Sequence, residues 1–232
     1  MTRNLGRLRL AAVNIDGVLL NDTFSPVIHG FVVGRGGQYT AETERAVFSQ
    51  PQHIAGLRMA EAVPEPLTGE QALQAYFAER EKYLERHPVA LSEGAVDLLH
   101  RLRSLGLQVV CYGGLAKEHF DTHLGAFADL FDGPGYVCTN DFRPGIHEIV
   151  TQTFGLKHDE ALVIDDVARV AEEARVLNVA FIGHPSTFVH SFQWHLMAEA
   201  GVRHVVSGLD RIDAELLHRI DAEAAAGRSW ER

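Results

Sequence analysis

Four polar side chains stand where apolar runs end. Residues 8–15, LRLAAVNI, deliver Asn14 and, one position beyond, Asp16; residues 161–164, ALVI, end at Asp165-Asp166. A short apolar run that stops at polar residues reads as a buried parallel strand presenting them at a sheet's carboxyl edge. Carboxylates gathered there suit Mg²⁺, which takes oxygen ligands, keeps several waters and is commonly held by one or two carboxylates plus a substrate phosphate. Asp16, Asp165 and Asp166 are the metal ligands expected on this reading. A single Asp at such a turn more often caps the following helix, but four polar groups on two strand ends favour a site.

Other reactive side chains carry less weight. His184, His190 and His195 lie within twelve residues among the chain's 13 histidines. Their spacings of six and five share no helical face, which favours surface or loop histidines over a zinc site. Cys111 sits one residue inside an apolar run, where a free thiol is usually an inert core residue and not a nucleophile.

The elements that must carry these groups alternate. Further strands are predicted over 107–112, 178–182 and 202–206, and helices over 115–130, 145–154 and 167–177. Ser92-Glu93-Gly94 opens a helix whose apolar face is Ala95, Leu98, Leu99, Leu102 and Leu105, with Gly106 closing it. Short connections between such elements imply an α/β fold with a doubly wound parallel sheet, whose ligands bind at the strands' carboxyl ends. Residues 22–87 break the rhythm. They hold a Gly-rich turn, Gly34-Arg35-Gly36-Gly37, a helical segment from Thr40, a local linker at 63–66 and a helix over 68–86. They are expected to form a mainly helical cap inserted after the first strand, on a core of 1–21 and 88–232.

Composition narrows the partners. The 232 residues include 31 Asp and Glu against 21 Lys and Arg, a net charge of −10, the opposite of what phosphate neutralisation on nucleic acid requires. Two cysteines without CxxC spacing argue against a disulfide framework or a cysteine zinc site. No apolar run approaches the roughly 20 residues of a membrane span, and the first residues lack an apolar stretch with a cleavage site. A cytoplasmic setting is expected.

The order of elements and the motif spacing resemble the haloacid dehalogenase superfamily, chiefly phosphatases and phosphotransferases. LRLAAVNIDGVLLN (8–21) resembles its first motif, a hydrophobic strand followed by Asp-x-Asp-Gly. VALSEGAVDLLHRLRSLGLQVVCYGG (89–114) resembles the helix and strand of its second, DFRPGIHEIVTQTFGL (141–156) the approach to its third, and ALVIDDVARVAEEAR (161–175) its acidic fourth. The likeness implies a Rossmann-like core with a helical lid of the family's first type.

It also implies that the departures fall on the chemistry. Asn14 stands where the family's nucleophilic Asp becomes an aspartyl phosphate, and an amide has no carboxylate to offer. Asp16 matches the general acid/base. Tyr112 and Gly113 replace the second motif's Thr or Ser, leaving the Tyr112 hydroxyl or an anion nest of backbone N–H groups at Gly113-Gly114 to meet an oxyanion; a plain strand-to-helix turn is an equal reading. Arg143 matches the third motif's Lys and keeps its charge. In the lid, Arg35 is the candidate for touching a substrate anion. Two functions follow. One is a divergent member that keeps a phosphate or small-anion cleft but has lost phospho-aspartate chemistry. The other is a Mg²⁺-dependent phosphomonoester hydrolase or phosphotransferase carrying an Asp-to-Asn substrate-trap exchange. Both expect Mg²⁺ binding that is weak or dependent on substrate.

Overall fold

A computed structural model describes residues 4–230. Six strands form one parallel sheet in the order β3-β2-β1-β4-β5-β6. They are β1 (Leu10–Asn14), β2 (Gln108–Gly113), β3 (Tyr136–Cys138), β4 (Ala161–Asp165), β5 (Ala180–Gly183) and β6 (His204–Val205). Five overlap the predicted runs, β2, β4 and β5 each reaching one residue further; β3 was not anticipated. Because successive side chains of a strand point to opposite faces, β1 divides itself between two cores. Ala11 and Val13 join the cluster built on Leu98, Leu99 and Leu102, while Leu10 and Ala12 join that of Val163, Val170 and Ala171. These four apolar residues of β1 are buried.

The chain leaves β1 toward β2 on one side and reaches β4 on the other, so a crevice opens above β1. The register sets Asn14 beside Tyr112 and Val13 beside Ile164. The residues after β1, β2 and β4 therefore converge at one place.

Helix α5 (Ala95–Ser104) begins and ends as the apolar spacing implies, and its Leu98, Leu99 and Leu102 are buried. The predicted 115–130 helix is α6 (Lys117–Leu124) followed by a tighter 3₁₀ turn. The 145–154 segment is a wide π-type turn over Glu148–Thr153. Helices α7 (Ala168–Leu177), α8 (Gln193–Ala200) and α9 (Ala214–Ala225) complete the set packed around the sheet. No helix among the described residues is long and apolar enough to cross a membrane.

Between β1 and α5 lie four more helices, α1 (Ser25–Gly34), α2 (Ala41–Val47), α3 (Gln52–Glu61) and α4 (Gly69–Leu84). Local chemistry starts them. Asp22 Oδ1 accepts the Phe24 and Ser25 N–H groups ahead of α1, and Thr40 caps α2 through the Thr43 N–H. Thr68 and Gln71 exchange side-chain and backbone bonds as a capping box on α4. The segment leaves and rejoins the core through a clip. Asn21 N–H donates to the Ala90 carbonyl, Ala90 N–H donates to Asn21 Oδ1, and Asn21 Nδ2 donates to the Pro88 carbonyl.

Beyond the clip, further contacts hold the helical segment to the core. Buried Glu44 on α2 accepts from Ser191 Oγ at 2.9 Å and from the Phe192 N–H at 2.7 Å. Burial raises its carboxyl above the ordinary range, although these donors oppose the rise. Gln52 donates its N–H to Asn140 and its side-chain amide to the Gly114 carbonyl.

Candidate functional site

A pocket at the carboxyl edge of the sheet lies between the core and the helical segment. Its floor includes Asn14, Asp16, Gly114, Asn140, Arg143 and Asp166, and its roof includes Phe24, Phe48, Met59, Tyr76 and Phe77.

Asn14 ends β1 and is 5% exposed. Its side-chain nitrogen donates to the Asp16 carbonyl at 2.7 Å and to Asp166 Oδ1 at 2.8 Å. The Asp16 carbonyl can only accept, so the amide must turn its NH₂ toward it. The approach of Asp166 depends on Gly17, which has a φ of +86°. A Cβ there would stand 2.2 Å from Asp166 Oδ2, so this position combines a left-handed backbone with no room for a side chain.

Asp166 is buried at 5% exposure and Asp165 is fully buried. Burial holds both carboxyls above the ordinary carboxylate range. The neighbouring Asp165 pushes Asp166 further up, while the Asn14 bond pulls it down. Asp165 faces away from the pocket. It accepts the Tyr112 hydroxyl and the Val167 N–H, so it serves to join β4, β2 and the start of α7.

That arrangement corrects three sequence expectations. Tyr112 is buried, donates to Asp165 and does not line the pocket; burial and then Asp165 raise its hydroxyl. Gly113 accepts the Thr139 N–H and hydroxyl at its carbonyl, and a Cβ on it would meet Ile15 and Tyr136. Arg35 pairs with Glu79 at 2.6 Å and Glu65 at 3.2 Å while stacking over Phe31, away from the pocket. Gly114 does line it, beneath the Arg143 guanidinium. A Cβ there would lie 2.3 Å from Arg143 Nη1.

Arg143 offers Nε and Nη2 to Ser49 Oγ at 3.4 and 3.2 Å. Among the described residues it makes no ion pair. Five N–H donors with one hydroxyl acceptor leave most of its hydrogen-bonding capacity open. The acids around it are better supplied. Asp22 accepts two backbone N–H groups and the Ser186 hydroxyl. Asp16 Oδ1 accepts from His119 Nε2 at 2.9 Å. His119, from α6, was not foreseen. It lies 103 positions from Asp16, and only the β1–β2 pairing brings the two together.

The residues present do not fit a resident Mg²⁺. The Asp16 carbonyl and Asp166 Oδ1, oxygens that would face a cation, already converge on the Asn14 NH₂. Asp165 is occupied behind the sheet edge and the Asp16 carboxylate is turned to His119. Carboxylates already engaged in this way are a thin donor set for an ion that wants six oxygens. No group of three or more His, Cys, Asp or Glu side chains gathers as metal ligands among the described residues. The three clustered histidines also go separate ways. His184 donates to the Gly17 carbonyl, His190 stacks on His29, and His195 pairs with Glu199. Cys111 is fully buried, and burial raises its thiol.

Two predictions arise from these buried groups. An acid whose native pKa exceeds its unfolded value of ~3.9 holds an extra proton in the native state between the two values. Its contribution to stability is complete at low pH and is withdrawn as pH climbs through the native value. Asp166→Asn removes that withdrawal for Asp166. Its melting temperature should match the parent near pH 4 and exceed it by pH 8, each tenfold in proton affinity being worth ~1.4 kcal/mol. Equal melting curves at both pH values would contradict this. Tyr76, buried in the pocket roof, has a hydroxyl with no hydrogen-bond partner among the described residues. Tyr76→Phe should stabilise the ligand-free protein by about 1 kcal/mol in denaturant titrations, and a loss of stability would show that the hydroxyl is satisfied.

Comparison with known proteins agrees with this geometry at the level of fold. No protein-family model matches the sequence, and no curated protein sequence does. Solved structures do match. A phosphonoacetaldehyde hydrolase-like protein from Oleispira antarctica is 12% identical with a TM-score of 0.70, the match covering 98% of this chain and 97% of that one. A β-phosphoglucomutase from Clostridium difficile is 13% identical with a TM-score of 0.68, covering 94% and 99%. A haloacid dehalogenase-like protein of unknown function from Agrobacterium tumefaciens is 19% identical with a TM-score of 0.62, again covering 94% and 99%. Near-complete coverage of both chains, with one parallel sheet and a helical segment after β1, gives this protein the haloacid dehalogenase-like fold.

Proposed function

We propose that this chain is a haloacid dehalogenase-like protein that binds a small anionic or phosphorylated molecule and does not perform phospho-aspartate hydrolysis. In this reading residues 1–21 and 88–232 form the core, and 22–87 form a cap over the ligand. Arg143 receives the anion, with Gly114 beside it. Asp16, steadied by His119, is the acid/base that such chemistry would otherwise have used. The observation that carries the reading is the Asn14 amide, hydrogen-bonded to the Asp16 carbonyl and to Asp166. It offers no nucleophile to phosphorus, and its NH₂ already engages two of the oxygens that would hold a cation. The surplus of acidic residues supports a small ligand over nucleic acid. Two free cysteines support a reducing, cytoplasmic setting.

The test compares the chain with its Asn14→Asp variant against a panel of phosphomonoesters with Mg²⁺. Neither should release phosphate, while inorganic phosphate should raise the melting temperature of the parent chain. Turnover by the Asp variant alone would instead support the substrate-trap reading of a Mg²⁺-dependent hydrolase or phosphotransferase. Turnover by the parent would overturn both. Tyr112 favours the first outcome, since its hydroxyl is engaged by Asp165 and exchanging residue 14 alone leaves that contact in place.

A further inference from the structure

The roof of the pocket has a different character from its floor. Between Arg143 and the body of the helical segment, the lining is mostly apolar and includes Phe24, Ile28, Phe48, Met59, Leu73 and Phe77, with Tyr76 and Gln50 as its polar-tipped members. Ile28, Phe48 and Met59 are buried, and Phe24, Leu73 and Phe77 are partly buried against the same apolar cluster. Three of the five polar side chains that the segment brings to the pocket are engaged by the protein, and the Tyr76 hydroxyl is buried. Ser49 accepts from Arg143, Gln52 donates to the Gly114 carbonyl, and Asp22 is filled by Phe24, Ser25 and Ser186. A polyhydroxylated ligand would therefore lose water from its hydroxyls and find few partners for them. An apolar body would instead remove aromatic and aliphatic surface from water.

From this division, which rests on the anion-cleft reading above, we infer that the ligand is an amphiphilic oxyanion. Its head is a phosphate or related oxyanion held by Arg143. Its body is an aryl or branched alkyl group seated among Phe24, Phe48, Met59 and Phe77. The floor selects charge and the roof selects against sugars.

Isothermal titration of the intact chain in metal-free buffer tests this with inorganic phosphate, phenyl phosphate and glucose 6-phosphate. Phenyl phosphate should bind about tenfold or more tightly than glucose 6-phosphate, the scale expected for burying one ring, and with a negative heat-capacity change. Phe77→Ser should narrow that preference below about threefold, a loss of most of the ring's contribution. Phe77→Leu, which keeps an apolar side chain, should retain part of it if the Ser variant does not fold. Phosphate binding without any preference for the phenyl ester overturns this inference and leaves the anion cleft standing. Failure of all three to bind overturns the cleft reading and this inference together. Equal or tighter binding of the sugar phosphate assigns the roof to a polar ligand and overturns the inference alone.

Discussion

Asn14→Asp should lower the melting temperature of the metal-free protein, and millimolar Mg²⁺ should restore most of the loss. The exchange removes two donated hydrogen bonds and replaces the NH₂ with a carboxylate oxygen. That oxygen would face the Asp16 carbonyl and Asp166 Oδ1, now 2.7 and 2.8 Å from the nitrogen they accept from. Three acceptors then point at one another within a buried site, where Asp166 is already raised by desolvation and by Asp165. Leaving buried acceptors unpaired costs ~1–3 kcal/mol each, and an uncompensated buried charge costs ~3–5 kcal/mol. A net destabilisation of about 2–4 kcal/mol is expected once partial protonation relieves the repulsion. The same three oxygens make a far better Mg²⁺ seat than the amide does, so the variant should gain metal-dependent stability that the parent lacks. Thermal melts of both proteins with and without Mg²⁺ decide the matter. A variant that melts with the parent in the absence of metal would show that the two hydrogen bonds of the amide do not hold this site together.

Arg143→Ala should weaken inorganic phosphate binding by about 10- to 100-fold, as expected from losing charge-assisted hydrogen bonds worth ~1.5–3 kcal/mol. The magnitude is large because no second cation lines the pocket among the described residues, which otherwise carry Asp16, Asp22 and Asp166 there. Arg143→Lys should recover only part of the affinity, since an ammonium keeps the charge without the planar fork. Titration calorimetry across a series of salt concentrations checks this. Unchanged phosphate affinity in the Ala variant would remove Arg143 from the site.

The sequence carried most of the sheet because its strands are buried on both faces. β1 and β4 read as unbroken apolar runs whose ends must be polar where the sheet stops. β3 escaped because it has only three residues, Tyr136 to Cys138, on the sheet's edge. Too short a run leaves no period to detect. Asn14, Asp16, Arg143 and Asp166 were placed by their positions on strand ends and motifs, and all four line one pocket. What the spacing could not tell is direction. Asp165 and Asp166 are neighbours, yet one turns to Tyr112 and the other to Asn14. Arg35 looked free in its Gly-rich turn because its partners Glu65 and Glu79 come from other turns of the segment. His119 and Ser49 were missed for the same reason. Their contacts with Asp16 and Arg143 join residues about a hundred positions apart.

The clip formed by Asn21, Pro88 and Ala90 has an implication for how such a chain can change. It fastens both ends of the excursion from 22 to 87 at a single base. The entropy of closing a loop grows only with the logarithm of its length, so doubling the excursion would add just ~0.6 kcal/mol. The closing entropy therefore sets little limit on what is threaded between those anchor points, provided the replacement again packs on the apolar cluster it shares with β1. Roofs of other sizes and chemistries can be exchanged on the same foundation, and ligand preference can drift while the architecture beneath it stays put.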